Sequence, residues 1–135
     1  MSRIIPGVML GAFIGFACIW LVEAVSGALY PLPQGFDPYT AANQGVALRY
    51  SVPFGAQLLV VCGWLLGATV GGGAAAYFSR RRIGSWVVAA LIVASALATA
   101  QSIARPGWMI AAGLILPWGC ALAVQNLARW KRDLY

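Results

Sequence analysis

Apolar residues run almost unbroken through four stretches of the chain, and the polar residues gather between them. The stretches run from about Ile4 to Leu29, Pro53 to Phe78, Trp86 to Ile103 and Trp108 to Ala128. A hydrocarbon layer about 30 Å thick is crossed by about 20 helical residues. Each stretch is therefore predicted to be a membrane-crossing helix, the third being the shortest. Breakers separate them. Tyr30-Pro31-Leu32-Pro33-Gln34-Gly35-Phe36-Asp37-Pro38 ends the first, Ser79 to Ser85 carries three arginines and a glycine, and Arg105-Pro106-Gly107 is a tight turn. The short connections predict antiparallel neighbours. The expected fold is all-α, a bundle of four transmembrane helices arranged as two helical hairpins. It forms one membrane domain over residues 1–135, with an outer loop at 30–52.

Composition sharpens this reading. The 135 residues are 61% apolar and only 9% charged, and the mean hydropathy is +0.81. A soluble domain is nearer half apolar and a quarter charged. A disordered chain, a disulfide-stapled module and an ordinary cytosolic enzyme are all excluded. The first stretch follows Arg3 and has a cleavage-like Ala24, as a signal peptide would. It is longer than a signal core, and it is read as a retained helix.

The net charge of +6 flanks apolar segments, so it speaks for membrane topology rather than nucleic acid. Arg3, Arg80, Arg81, Arg82, Arg129, Lys131 and Arg132 fall on one side, seven in all. Arg49 and Arg105 fall on the other. Positive residues favour the cytoplasm, so both termini are expected there. Trp20, Tyr30, Trp86, Trp108, Trp130 and Tyr135 lie near segment ends, where interfacial aromatics collect.

The chemistry-bearing residues are few. With no histidine, and with Glu23, Asp37 and Asp133 as the three acids, two-carboxylate and two-metal chemistry has little to work with. Cys18, Cys62 and Cys120 are widely spaced within apolar runs and read as small core fillers. No cofactor, no metal and no nucleic-acid partner is implied. The expected partners are membrane lipids and either a second copy or another membrane protein.

Small residues recur at every fourth position. Gly7, Gly11 and Gly15 do so in the first segment, and Gly63, Gly67, Gly71 and Ala75 in the second. Ala90, Ala94, Ala98 and Ser102 do so in the third. Such stripes let helix backbones approach closely where no hydrophobic drive exists between helices. They serve either folding within one chain or association between chains. Gly71-Gly72-Gly73 reads as a close-packing site or a hinge, and Pro117 is predicted to kink the fourth helix.

One polar cluster is predicted near the outer face. Glu23 lies about 28 Å along the first helix from Ile4, at about 1.5 Å per residue. Gln57 and Gln101 lie one turn from the same side, next to Arg49 and Arg105. Glu23 needs a cationic partner or a proton there. The shallow depth and the lack of a second acid favour a structural ion pair over a proton-accepting site. The outer loop, with Pro31, Pro33 and Pro38, reads as a rigid ledge. It presents Phe36, Tyr39 and Tyr50, and a short amphipathic helix is expected over 39–50.

Several of these motifs occur together in a known family. They are Glu23 followed by Tyr30-Pro31-Leu32-Pro33-Gln34-Gly35-Phe36-Asp37, then Pro53-Phe54-Gly55-Ala56 with Gly63-Trp64-Leu65-Leu66-Gly67 and Gly71-Gly72. Arg105-Pro106-Gly107-Trp108 with Pro117 completes the set. The chain resembles a family of small bacterial four-helix membrane proteins of uncharacterised function. The resemblance implies the same topology in a bacterial inner membrane and brings no activity with it. Where that family often carries histidine before the proline, this chain has Arg105, so no histidine role transfers.

The expected function is non-catalytic: an accessory subunit or self-assembling scaffold. The alternative is a small-molecule or lipid-binding or transport protein. It would act as an oligomer, with the outer polar cluster lining its pocket.

Overall fold

The computed structural model describes residues 4–31, 34, 52–102 and 105–130. The protein is all-helical there, with α1 (Ile4–Leu29), α2 (Phe54–Ser79), α3 (Ile83–Ser102) and α4 (Gly107–Trp130). All four helices are long and apolar enough to cross a membrane. Most of the outer loop, including Arg49, Phe36, Tyr39, Tyr50 and the expected helix over 39–50, lies outside the described residues.

One boundary differs from the sequence reading. The third helix was expected to begin at Trp86, but α3 begins at Ile83. Gly84 was read as part of a breaker. It is instead a buried helical contact, where an added Cβ would meet Ala75 O and Ser79 Oγ at 2.9 Å. Ser85 Oγ donates to Arg82 O at 2.9 Å and satisfies a carbonyl of the turn. Only Arg80, Arg81 and Arg82 remain between α2 and α3.

α1 and α2 meet through glycine on both sides. An added Cβ would meet Ser79 N at 2.6 Å from Gly7, Ala75 Cβ at 2.5 Å from Gly11 and Gly67 O at 2.9 Å from Gly15. Gly67 faces Ile19, Gly63 faces Val22, and the Tyr30 hydroxyl lies against Gly55. Residue numbers fall along α2 as they rise along α1, so the two helices run antiparallel. Both glycine stripes are thus consumed within one chain. With no side chains between them, the backbones come close enough for dispersion and Cα–H···O contacts to hold the pair.

The glycines also shape α2. Residues Gly67–Gly71 form a single π-helical turn. Of Gly71-Gly72-Gly73, read as a close-packing site or a hinge, Gly71 ends the π turn and packs on Gly11, while Gly72 starts regular α-helix and faces Ser85. The widened turn alters the i→i−4 ladder. Thr69 Oγ1 donates to Leu65 O at 2.8 Å and to Leu66 O at 3.1 Å, and Cys120 Sγ of α4 approaches Leu65 O at 3.9 Å. Side chains thereby supply donors to carbonyls beside the π turn.

α2 and α3 each touch the other three helices, while α1 and α4 lie on opposite sides of them. Val88, Ile92 and Ala96 of α3 turn inward to meet Trp64, Ala68, Met109 and Cys120, and Ala89 is buried beside them in sequence. Pro117 is fully buried inside α4. It removes the N–H that would bond Gly113 O, and an added Cβ on Gly113 would meet Trp64 at 2.9 Å and Ala96 at 3.2 Å. Trp86 stacks on Trp118 with ring centroids 5.6 Å apart, so this tryptophan ties α3 to α4.

On α1 the distribution of size is inverted relative to a helix in water. α1 buries Gly7, Gly11, Gly15, Ile19 and Ser26, while Phe13 is 73% exposed and Trp20 71%. Large apolar side chains outside and small residues inside suit a hydrocarbon solvent. They would form an oversized apolar surface in water. The arrangement is that of a multi-pass membrane helical bundle.

Candidate functional site

The residues of the expected outer cluster take separate roles. Glu23 is exposed, near the end of α1, and it forms no hydrogen bond or ion pair among the described residues. Gln57 donates its Nε2 to Val52 O at 3.2 Å, tying the start of α2 to the chain before it. Gln101 is exposed near the end of α3. Arg105 is half-buried, with its guanidinium carbon 5.3 Å from the ring centroid of Trp64. No hydrogen bond or ion pair among the described residues joins Glu23, Gln57 and Gln101 to one another. Arg49 lies outside the described residues.

The crevice at Arg105 is lined by Trp64, Ala96, Leu97, Ala100, Ile110 and Leu114, and no space in it is wide enough to hold a water molecule. Arg105 lies over the ring of a tryptophan that is itself buried. The cation gains the ring's quadrupole while its stem lies on apolar surface. Within one chain this place is filled rather than vacant.

The third small-residue stripe departs from the other two. Ala90 and Ala94 are exposed, so they do not pack α3 into its own bundle, and Ala98 is exposed on the same helix. The reason is angular. Ala90 and Ala94 stand two residues from Val88 and Ile92, about 200° around the helix from the buried face. Gln101 falls on the same outward side as Ala90 and Ala94.

At the opposite end of the bundle the arginine turn is held from several directions. Ser79, 4% exposed, donates Oγ to Arg81 O at 3.1 Å and accepts from Arg81 N at 3.3 Å. Ser85, fully buried, donates to Arg82 O. Gln125 of α4 reaches Arg82 O at 3.4 Å and Ser85 Oγ at 3.5 Å. Arg80 closes α2 in the left-handed conformation, φ 52°, as the one non-glycine residue with positive φ among those described. All three arginines are exposed.

Ser79, Ser85 and Gln125 belong to no motif in the sequence. The available signal was a serine on either side of Arg80-Arg81-Arg82. Nothing in the sequence pairs Gln125 with a turn more than forty residues earlier. Among the described residues, no three of His, Cys, Asp and Glu come together as a metal site would require. No protein-family model, curated protein or solved structure matches the chain.

Proposed function

We propose that the protein is a non-catalytic multi-pass protein of a bacterial inner membrane, acting as an accessory subunit or self-assembling scaffold. In this reading its helices form two hairpins with both termini in the cytoplasm. The excess of lysine and arginine on one side of the segments supports that orientation. The motif resemblance to small bacterial four-helix membrane proteins supports the bacterial membrane.

The observation that carries the reading is the outward face of α3. Ala90 and Ala94 of its alanine stripe are exposed, on the same side as the exposed amide of Gln101. In lipid, small residues at this spacing let a second helix approach closely, and an amide gains from a partner across the contact. The glycine stripes of α1 and α2 are already occupied by each other, so of these three stripes it is the α3 one, at Ala90 and Ala94, that is left facing outward. Exposed Glu23 adds a second polar group on the outer surface.

The alternative, a ligand-binding or transport protein, requires a pocket formed between chains. The Arg105 crevice has no room for a water molecule within one chain.

The test is extraction from the native membrane in a mild polymer, followed by native mass spectrometry of the intact assembly. A homo-oligomer, or a stoichiometric complex with a second protein, supports the proposal. Ala94→Phe should then dissociate it while leaving the helical signal unchanged. A monomer in both the wild type and the variant would overturn it. An oligomer that retains a small molecule in stoichiometric amount would favour the alternative.

A further inference from the structure

We infer that the α2–α3 turn is a binding site for an anionic glycerophospholipid, with the phosphate on Arg80, Arg81 and Arg82 and an acyl chain on the apolar residues beside them. The inference rests on the bundle spanning a membrane, but not on which side the turn faces.

Two independent features meet here. The first is the cationic turn. Three consecutive guanidiniums are exposed, and Ser79, Ser85 and Gln125 hold the backbone that carries them. The carbonyls of Arg81 and Arg82 accept from Ser79, Ser85 and Gln125, which leaves the three guanidiniums free of the work of holding the turn. Guanidinium groups match phosphate oxygens in pairs. The left-handed φ of Arg80 sharpens the case. Glycine would take that conformation without strain, yet the position holds a cation. Strain of this kind collects where a side chain has a task.

The second feature is apolar. Tyr77 is 78% exposed, Phe78 49% and Ile83 56%, and they flank the arginines on either side in sequence. Tyr77 and Phe78 meet edge to face with centroids 5.3 Å apart, forming a small aromatic step at the end of α2. A soluble phosphate has no use for this step, and its place at the end of a helix long and apolar enough to cross a membrane favours a lipid, which presents a head group and a chain side by side. Generic attraction of basic loops to anionic membranes depends on charge alone. A built site depends also on the bonds that hold the turn.

The experiment measures lipid retained by the purified protein in nanodiscs of equimolar phosphatidylglycerol and phosphatidylcholine. It compares the wild type, Arg81→Gln/Arg82→Gln, and Ser79→Ala/Gln125→Ala, which keeps every charge. Each arginine near an anionic surface is worth about 1 kcal/mol, so the double arginine variant should lose about thirtyfold in preference for phosphatidylglycerol. The charge-neutral variant should lose preference several-fold, with helicity unchanged. Arg82→Gln alone carries the test if the double variant does not fold, with a loss of about fivefold. Equal retention of both lipids by the wild type would overturn the site. So would a Ser79→Ala/Gln125→Ala protein that matches the wild type, since charge alone would then explain the binding. Glycerol phosphate that displaces the lipid as well as phosphatidylglycerol does would assign the turn to a free phosphate instead. Failure of the membrane reading itself would appear separately, as a protein that stays monodisperse without detergent or lipid.

Discussion

Gly11 of α1 stands against Ala75 of α2 so closely that an added Cβ would lie 2.5 Å from the alanine Cβ and 2.6 Å from Gly71 O. Carbon atoms do not share that space, so Gly11→Ala must push α1 away from α2. The expected loss is about 1–3 kcal/mol from overpacking. It outweighs the roughly 0.5–1 kcal/mol that alanine gains over glycine inside a helix. Gly73 provides the contrast, because nothing lies within 4 Å of its Cβ position. Gly73→Ala should stabilise by about 0.5–1 kcal/mol. Thermal midpoints in detergent should therefore move in opposite directions for the two variants.

The two faces of α3 should respond differently. Ile92 is 1% exposed at the centre of the bundle, and Ile92→Ala should cost about 2 kcal/mol or more through the cavity it leaves. Ala94→Leu, on the exposed face, should leave the unfolding midpoint within about 0.5 kcal/mol. Its effect should fall on assembly mass. A large loss of stability from Ala94→Leu in a monomeric preparation would contradict the burial pattern.

Arg105→Met keeps a long stem over Trp64 but removes the cation. With the guanidinium carbon 5.3 Å from the ring centroid, the expected loss is about 0.5–2 kcal/mol. Trp64→Ala, which empties a buried site, should cost about 3–5 kcal/mol. A double-mutant cycle between the two positions measures the coupling. A coupling of zero would show that the cation gains nothing from the ring.

Arg80 adopts φ 52° where α2 ends. Arg80→Gly removes the clash of a Cβ in the left-handed region and should stabilise the fold by about 1 kcal/mol. The same change should weaken anionic-lipid retention. Calorimetry and lipid counting on one preparation check both signs together.

Glu23 is exposed and has no partner among the described residues. Glu23→Gln and Glu23→Leu should both leave the fold within about 0.5 kcal/mol. If Glu23 hydrogen-bonds to another chain, glutamine should preserve the assembly better than leucine. Equal loss in both variants would mean that its charge is what the partner reads.

The outer cluster shows why a shared depth is a weak guide to a site. Gln57 and Gln101 lie where segment lengths put them, but depth leaves the angle around each helix open. Gln57 turns to Val52, and Gln101 turns outward. The same angle decided the small-residue stripes. Spacing by four revealed three stripes equally well. Gly7, Gly11 and Gly15 then met Ser79, Ala75, Gly71 and Gly67, while Ala90 and Ala94 were left facing out. The first three residues of α3 are hidden in the sequence for the same reason, because Gly84 looks the same there as a breaker and as a contact.

The number of helices, their approximate ends and their fitness for a membrane follow from the sequence alone. Those properties depend on the local sum of apolar side chains along the chain, which needs no partner to evaluate. The pairing of α1 with α2, the π turn at Gly67–Gly71, the covering of Trp64 by Arg105 and the reach of Gln125 to Arg82 arise only in the tertiary structure. Each depends on how far one helix is rotated and shifted against another. In lipid, hydrophobic burial does not set that rotation. Steric fit between small residues does, and fit is a property of two surfaces together.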